Sequence, residues 1–177
     1  NKNIARYLMK KNGIPVVPGT EKLNHENIET IKRYAQQIGY PVILKASGGG
    51  GGRGIREVHK EEDLERLLED CKREAKAFFN SDEVFMEKLI INPRHIEFQI
   101  LGDNYGNIIH LMERDCSIQR RHQKIIEVAP SPTVSENLRK TMGVTAVAAA
   151  KAVNYTNVGT VEFLSLIHIS EPTRLLS

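Results

Sequence analysis

Apolar positions recur along this chain first at three-to-four-residue spacing and later at two-residue spacing, and that change predicts a helix-and-strand unit followed by an antiparallel hairpin. Ile4 and Leu8 mark a short helix over residues 3–11, ended by Gly13 and Pro15. Residues 16–19 read as a strand fragment and a turn, and Asn24 as the cap of a helix carrying Ile28, Ile31, Ala35 and Ile38. Gly39 and Pro41 stop that helix. Residues 60–79 form the clearest amphipathic stripe, with Leu64, Leu67, Leu68, Cys71, Ala75 and Phe78 on one side. Glu61, Glu62 and Asp63 lie at its start and Lys72, Arg73 and Lys76 near its end, as the helix dipole favours. Residues 84–91 read as a strand carrying Glu87 and Lys88 and broken at Asn92 and Pro93, so the strand either lines a cleft or runs along an edge. His95, Glu97 and Gln99 then alternate with Ile96, Phe98 and Ile100, and a turn over residues 102–107 leads into residues 108–113. Thr133 and Glu136 suggest a capping box for an alanine-rich helix reaching about Val153. Residues 159–163 give a last strand holding one carboxylate, Glu162.

Between the strands at residues 42–44 and 55–58 lies a run of glycines. Consecutive glycines let backbone N–H groups approach an anion without Cβ interference. Lys45 at the end of the incoming strand and Arg53 inside the loop add fixed positive charge. A P-loop needs Gly-Lys-Ser/Thr leading into a helix, and a dinucleotide fingerprint also needs a helix there; a strand follows here instead. The remaining readings are a phosphate-holding hairpin and a glycine linker with incidental charges. Residues 115–124, with Gln119, Arg120, Arg121, His122 and Lys124, form a dense cationic segment that suits a phosphate or small oxyanion, or else a solvated strand.

Composition narrows the partners. A formal charge of +3 over 177 residues, with basic and acidic residues interleaved, argues against nucleic acid and for a small anionic ligand. No stretch has the apolar length of a membrane span, and no secretory signal opens the chain. Cys71 and Cys116 lie far apart in unlike contexts, which argues for a reduced, cytoplasmic setting rather than a disulfide. Cys116, among arginines, is either a reactive thiol or a small residue at a strand end.

Several motifs in this order and spacing resemble the biotin carboxylase family, in the form of the subunit serving bacterial acetyl-CoA carboxylase. They are Lys45-Ala-Ser with the glycines and Arg53-Gly54, Met86-Glu87-Lys88, Asn92-Pro93-Arg94-His95, Glu113-Arg114-Asp115-Cys116-Ser117, the run Gln119 to Lys124, and Gly159-Thr160-Val161-Glu162-Phe163. The resemblance implies an α+β fold of the ATP-grasp type, with ATP between a mobile lid and a second antiparallel sheet. It divides the chain into a linker helix (1–16), a lid (17–89) and the first part of the second subdomain (90–164). It also implies attack of bicarbonate on MgATP to give carboxyphosphate, then carboxylation of biotin, as in acetyl-CoA carboxylase and fatty acid biosynthesis. Pyruvate carboxylase and other acyl-CoA carboxylases share the motifs. The alternatives are another ATP-grasp ligase, such as carbamoyl phosphate synthetase, and a nucleotide-binding module without catalysis.

Carried over, the resemblance puts Lys2, Lys45, Gly49, Gly50, Gly51, Gly52, Arg53 and Gly54 on the phosphates. Glu87, Lys88 and Leu89 follow the adenine, His95 and Gln119 meet the ribose, His122 lies near the phosphates, Lys124 faces bicarbonate and Glu162 binds Mg2+, with Mn2+ as a substitute. Biotin is the carried substrate on biotin carboxyl carrier protein, and the implied partners are carboxyltransferase subunits and a second copy in a homodimer. Ile55 replaces the family's usual Met, and Val128 replaces the second of two acidic residues after Lys124. The chain starts after the family's Rossmann-like domain and ends before its second metal-binding Glu and its Asn-x-Arg-x-Gln-Val-Glu run, so no biotin carboxylation is expected of the chain alone. Residues 164–174 resemble a translated sequencing-library adapter, and residues from Ser165 onward are set apart from the fold.

Overall fold

In the computed structural model, residues 2–48, 53–120 and 123–165 are described, with the side chains of residues 2–5 outside that description. The chain divides into two compact units, one formed by Val17–Leu89 and the other by Lys2–Val16 with the chain from Ile90. Each is built on a four-stranded antiparallel sheet, an α+β arrangement as the sequence predicts.

The first element, α1 (Lys2–Lys11), belongs to the second unit. The first unit then runs β1 (Gly19–Lys22), α2 (Ile28–Ile38), β2 (Val42–Ala46), β3 (Ile55–Val58), α3 (Leu64–Phe79) and β4 (Val84–Lys88). Its sheet order is β1-β4-β2-β3. β4 is therefore an interior strand, which removes the edge reading of Glu87 and explains why residues 84–86 are all buried. Leu23, Ile31, Leu44, Val58, Leu64, Leu68 and Met86 form the core with helices α2 and α3, burial that supplies most of what holds such a unit together.

Three local expectations in this unit are corrected. The strand begins at Gly19 rather than at Val16. Asn27, not Asn24, caps α2 by accepting from Thr30 N at 2.9 Å. Asn24 instead accepts from Val84 N at 3.2 Å and donates to Asp82 at 3.0 Å, because Leu23 is already paired to Val84. Phe78, placed on the core stripe of α3, is 54% exposed because the helix ends at Phe79 with Asn80 in the left-handed region.

The second unit adds β5 (Arg94–Gly102), β6 (Ile108–Arg120), β7 (Gln123–Val128), α4 (Glu136–Ala152) and β8 (Asn157–Ser165), with sheet order β7-β6-β5-β8. One face carries Ile96, Phe98, Ile100 and Phe163 against Met142, Ala146 and Ala150 of α4. Gly143 lets α4 sit close to the sheet, since a Cβ there would meet His110 Nε2 at 2.6 Å. Met9 and Ile14, from α1 and the turn after it, pack with Ala149.

Here β6 runs to Arg120 and pairs antiparallel with β7, a strand the sequence reading did not foresee. Cys116 lies inside β6 rather than at a strand end. Ser135, not Thr133, caps α4, accepting from Leu138 N at 3.3 Å; Thr133 donates its hydroxyl to Asp115. Ser165, set apart on sequence grounds, is the last residue of β8 and lies opposite Arg94. The rest of the suspected adapter, from residue 166, lies outside the described residues.

Candidate functional site

In the first unit, β2 and β4 are antiparallel neighbours with Ile43 opposite Glu87 and Lys45 opposite Phe85, so Lys45 and Glu87 are diagonal partners. Lys45 Nζ donates to Glu87 Oε2 at 2.8 Å, and both side chains are about nine-tenths buried. Such a pair holds its geometry because neither charge survives burial alone. Lys88, the next residue on β4, donates to the carbonyls of Gly39 at 2.8 Å and Tyr40 at 2.9 Å, and so satisfies the end of α2. Its backbone N–H is held by Pro18, and that of Leu89 by Pro41.

The glycine segment is described at its two ends. Gly54 has φ +65°, and a Cβ there would meet Ala46 Cβ at 2.7 Å, so only glycine fits. Its carbonyl accepts from Ala46 N at 2.8 Å and from the Cys71 thiol at 3.3 Å. The guanidinium of Arg53 lies 4.7 Å from the centre of the Phe78 ring. Gly49, Gly50, Gly51, Gly52 and His122 lie outside the described residues, as does the side chain of Lys2.

The second unit gathers His95, Glu97, Gln99, Arg114, Lys124 and Glu162 on the sheet face away from α4. Alternation along β5 puts His95, Glu97 and Gln99 together, and the register sets Arg114 opposite Glu97 on one side and Glu162 opposite it on the other. Glu97 Oε1 accepts from Arg114 Nε at 2.7 Å and from its Nη2, while Glu97 Oε2 accepts from Lys124 Nζ. Lys124 also donates to Glu162 Oε1 at 2.8 Å. Gln119 Nε2 donates to His95 Nδ1 at 2.7 Å, which leaves the ring proton on Nε2, and Nε2 lies 3.3 Å from Glu162 Oε1 without the alignment of a hydrogen bond. Gln119 also donates to the Cys116 carbonyl at 2.9 Å.

Electrostatics follow from these contacts. Burial pushes the Glu162 carboxyl up, but His95 and Lys124 outweigh it and bring it down to about 2. The same opposition, with Lys124 and Arg114 as the cations, holds Glu97 below the usual carboxylate range. Burial opposes the charge on Lys124, yet the two carboxylates raise it well above an ordinary lysine. At neutral pH Glu97, Glu162 and Lys124 are therefore all charged. Burial pushes the Cys116 thiol up to about 11, so the reactive reading of that residue does not hold.

His95, Glu97 and Glu162 each offer a ligand atom, all within 4.8 Å of one another. Two carboxylates and an imidazole are a chemically suitable set for Mg2+ or Mn2+, with the nitrogen favouring Mn2+. The structure thus brings together four of the sequence-predicted residues, His95, Gln119, Lys124 and Glu162. The sequence reading missed Glu97 and Arg114. Glu97 was visible only as one polar member of the β5 alternation; its importance comes from register.

Comparison with known proteins completes the picture. Residues 1–170 match the family described as carbamoyl-phosphate synthase L chain, ATP binding domain. The chain is 56% identical over 160 residues to pyruvate carboxylase of Bacillus subtilis, which covers 90% of this chain and 14% of that one. It is 52% identical over 164 residues to biotin carboxylase of Nostoc, covering 93% and 36% respectively. A solved biotin carboxylase domain dimer of the Hydrogenobacter thermophilus 2-oxoglutarate carboxylase, in complex with MgADP, ADP and bicarbonate, is 47% identical with a TM-score of 0.90, over 99% of this chain and 39% of that one. The Campylobacter jejuni biotin carboxylase–β,γ-ATP complex gives 46% identity and a TM-score of 0.87, over 98% and 40%. The chain spans between 14% and 36% of the length of the curated relatives it matches.

Proposed function

The chain belongs to the biotin carboxylases within the family of the carbamoyl-phosphate synthase L chain ATP binding domain, and from that premise we propose that it serves the ATP-dependent carboxylation of biotin by bicarbonate through carboxyphosphate. One observation carries this reading: Glu97, Arg114, Lys124, His95 and Glu162 form a single charged cluster on one sheet face, in a chain whose relatives are biotin-dependent carboxylases. Two carboxylates that hold a lysine beside a histidine provide both a cation site and an anion-binding ammonium.

In this reading Lys2, Lys45, Arg53 and the glycines from Gly49 to Gly54 hold the phosphates, while Glu87, Lys88 and Leu89 serve the adenine. The buried Lys45–Glu87 pair fixes where the Lys45 ammonium stands, which is the positioning that phosphoryl transfer depends on. Lys88 already gives two donors to carbonyls, so its part is to hold the α2 end and β4 together at the adenine position. His95 and Gln119 meet the ribose as a hydrogen-bonded pair. His122 serves the phosphates, Lys124 orients bicarbonate, and Glu162 with Glu97 behind it holds Mg2+ or Mn2+. The metal, when bound, supplies charge neutralisation on the phosphate oxygens. The partners are biotin carboxyl carrier protein, carboxyltransferase subunits and a second copy of the protein. Two buried free cysteines fit a reduced cytoplasmic setting.

The test is a graft of this chain into Bacillus subtilis biotin carboxylase 2 in place of its 161 matching residues. The graft is expected to cleave ATP only with bicarbonate, and faster with free biotin. A graft that melts cooperatively, cleaves ATP with bicarbonate and ignores biotin overturns the reading in favour of another bicarbonate-using ligase of this family.

A further inference from the structure

Resting on the assignment of Glu162 to the metal and Lys124 to the anionic substrate, we propose that Lys124 is a built-in competitor of the divalent cation, and that the metal, by taking Glu162, releases the lysine for the anion. The Lys124 ammonium donates to Glu97 and, at 2.8 Å, to Glu162 Oε1. Those carboxylates, with His95, are the groups whose ligand atoms converge within 4.8 Å. Ammonium and dication therefore seek the same oxygens, and a carboxylate attracts the doubly charged ion more strongly at equal distance.

The two carboxylates are not equivalent. Glu97 is buried, with its side chain 3% exposed, and keeps Arg114 on its other oxygen whatever Lys124 does. Glu162 is more open, at 23%, and has Lys124 as its cationic neighbour, with the His95 ring beside it but not aligned for a hydrogen bond. Glu162 is thus the carboxylate that changes partner, and Glu97 is the pivot that retains Lys124. Losing Glu162 frees one of the two donors that Lys124 has engaged and removes one of the two carboxylates neutralising its charge, on a half-open face, which is what favours a bicarbonate oxygen. The metal and the anion are then positively coupled, and the coupling is reciprocal: bicarbonate must tighten the metal as the metal tightens bicarbonate.

Titration of the chain with Mn2+ alone, followed by electron paramagnetic resonance of the free ion, tests the competition without any turnover. Lys124→Met should tighten Mn2+ by about tenfold or more, the loss of one competing charge-assisted hydrogen bond. Lys124→Gln, which keeps length and polarity, should tighten it in the same direction, and Lys124→Arg should leave it within about twofold. Unchanged or weaker Mn2+ binding in the Met and Gln variants overturns the competition. Glu162→Gln separates the two layers: if it weakens Mn2+ while Lys124→Met changes nothing, the competition alone fails. If Glu162→Gln keeps full Mn2+ affinity, the metal assignment fails and the competition with it.

Discussion

The two units handle charge in opposite ways. In the first, Lys45 and Glu87 form a pair on interior strands, both about 10% exposed. In the second, Glu97, Glu162, Arg114, Lys124 and His95 share contacts on one open face, so a single carboxylate serves two cations and a single lysine serves two carboxylates. A buried pair is costly to break because it takes a counter-charge from a group already out of water. A shared cluster is adaptable because each member retains a second partner when one is lost. The first arrangement suits the fixed placement of a phosphate-binding charge; the second suits an exchange of ligands.

The largest expected effect tests that contrast through stability. Lys45→Met should cost about 3 kcal/mol by taking the ammonium away from the buried Glu87 carboxylate. Lys124→Met should cost only about 1 kcal/mol, because Glu97 keeps Arg114 and Glu162 can take water. The double variant Lys45→Met/Glu87→Leu should recover most of the first loss. Denaturant unfolding followed by hydrogen exchange in each unit reads all three. Equal losses for the two single variants would erase the distinction between pair and cluster.

Acid should then act on the cluster. Glu162 has a folded-state value depressed to about 2 from an ordinary 4.5, and Glu97 and Asp115 are shifted in the same direction. A depressed carboxylate adds stability that is complete above its unfolded value and is lost as pH falls through the folded one. The second unit should therefore weaken between about pH 4.5 and pH 2, by about 1 kcal/mol from Glu162 once solvent screening is allowed for. Glu162→Gln should flatten that part of the profile. Amide exchange on β5 and β8 as a function of pH is the measurement, and a profile unchanged by the substitution would show that the cluster is not what acid dissolves.

The legible parts of the sequence are those whose signal is local. The helical stripe of α3, the β2–β3 hairpin and the alternation on β5 all declare themselves within a dozen residues, and they stand close to where they were expected. The candidate site was legible residue by residue through motif resemblance, but not as a geometry. Glu97 meets Arg114 17 positions away and Lys124 27 away, and only strand register decides that. Alternation says which face Glu97 occupies and is silent about its neighbours. β7 escaped notice because all six of its residues are exposed, so no apolar alternation marks it as half-buried. The caps show a similar limit: Asn24 and Asn27 are chemically alike, and the pairing of Leu23 to Val84 decides which one is free to cap. Thr133 lost its capping role in the same way, to the carboxylate of Asp115.

The smallest expected effect concerns an exposed cationic contact of the first unit, that of Arg53 with an aromatic ring. Arg53 rests on the ring of Phe78, which the apolar stripe of α3 assigned to the core and which the structure leaves 54% exposed. If Phe78 were a core residue, Phe78→Ala would cost about 3–5 kcal/mol. As an exposed platform for a guanidinium, it should cost only about 0.5–1 kcal/mol, the worth of a solvated cation–π contact. Phe163 in the second unit is 1% exposed and packs edge-on against Phe98, so Phe163→Ala supplies the full core penalty in the same chain. Trypsin offers an independent reading, because freeing the Arg53 side chain should hasten cleavage after it while leaving cleavage elsewhere in the first unit unchanged. A Phe78→Ala loss equal to that of Phe163→Ala would return Phe78 to the core and leave the first unit with no exposed aromatic platform for its loop arginine.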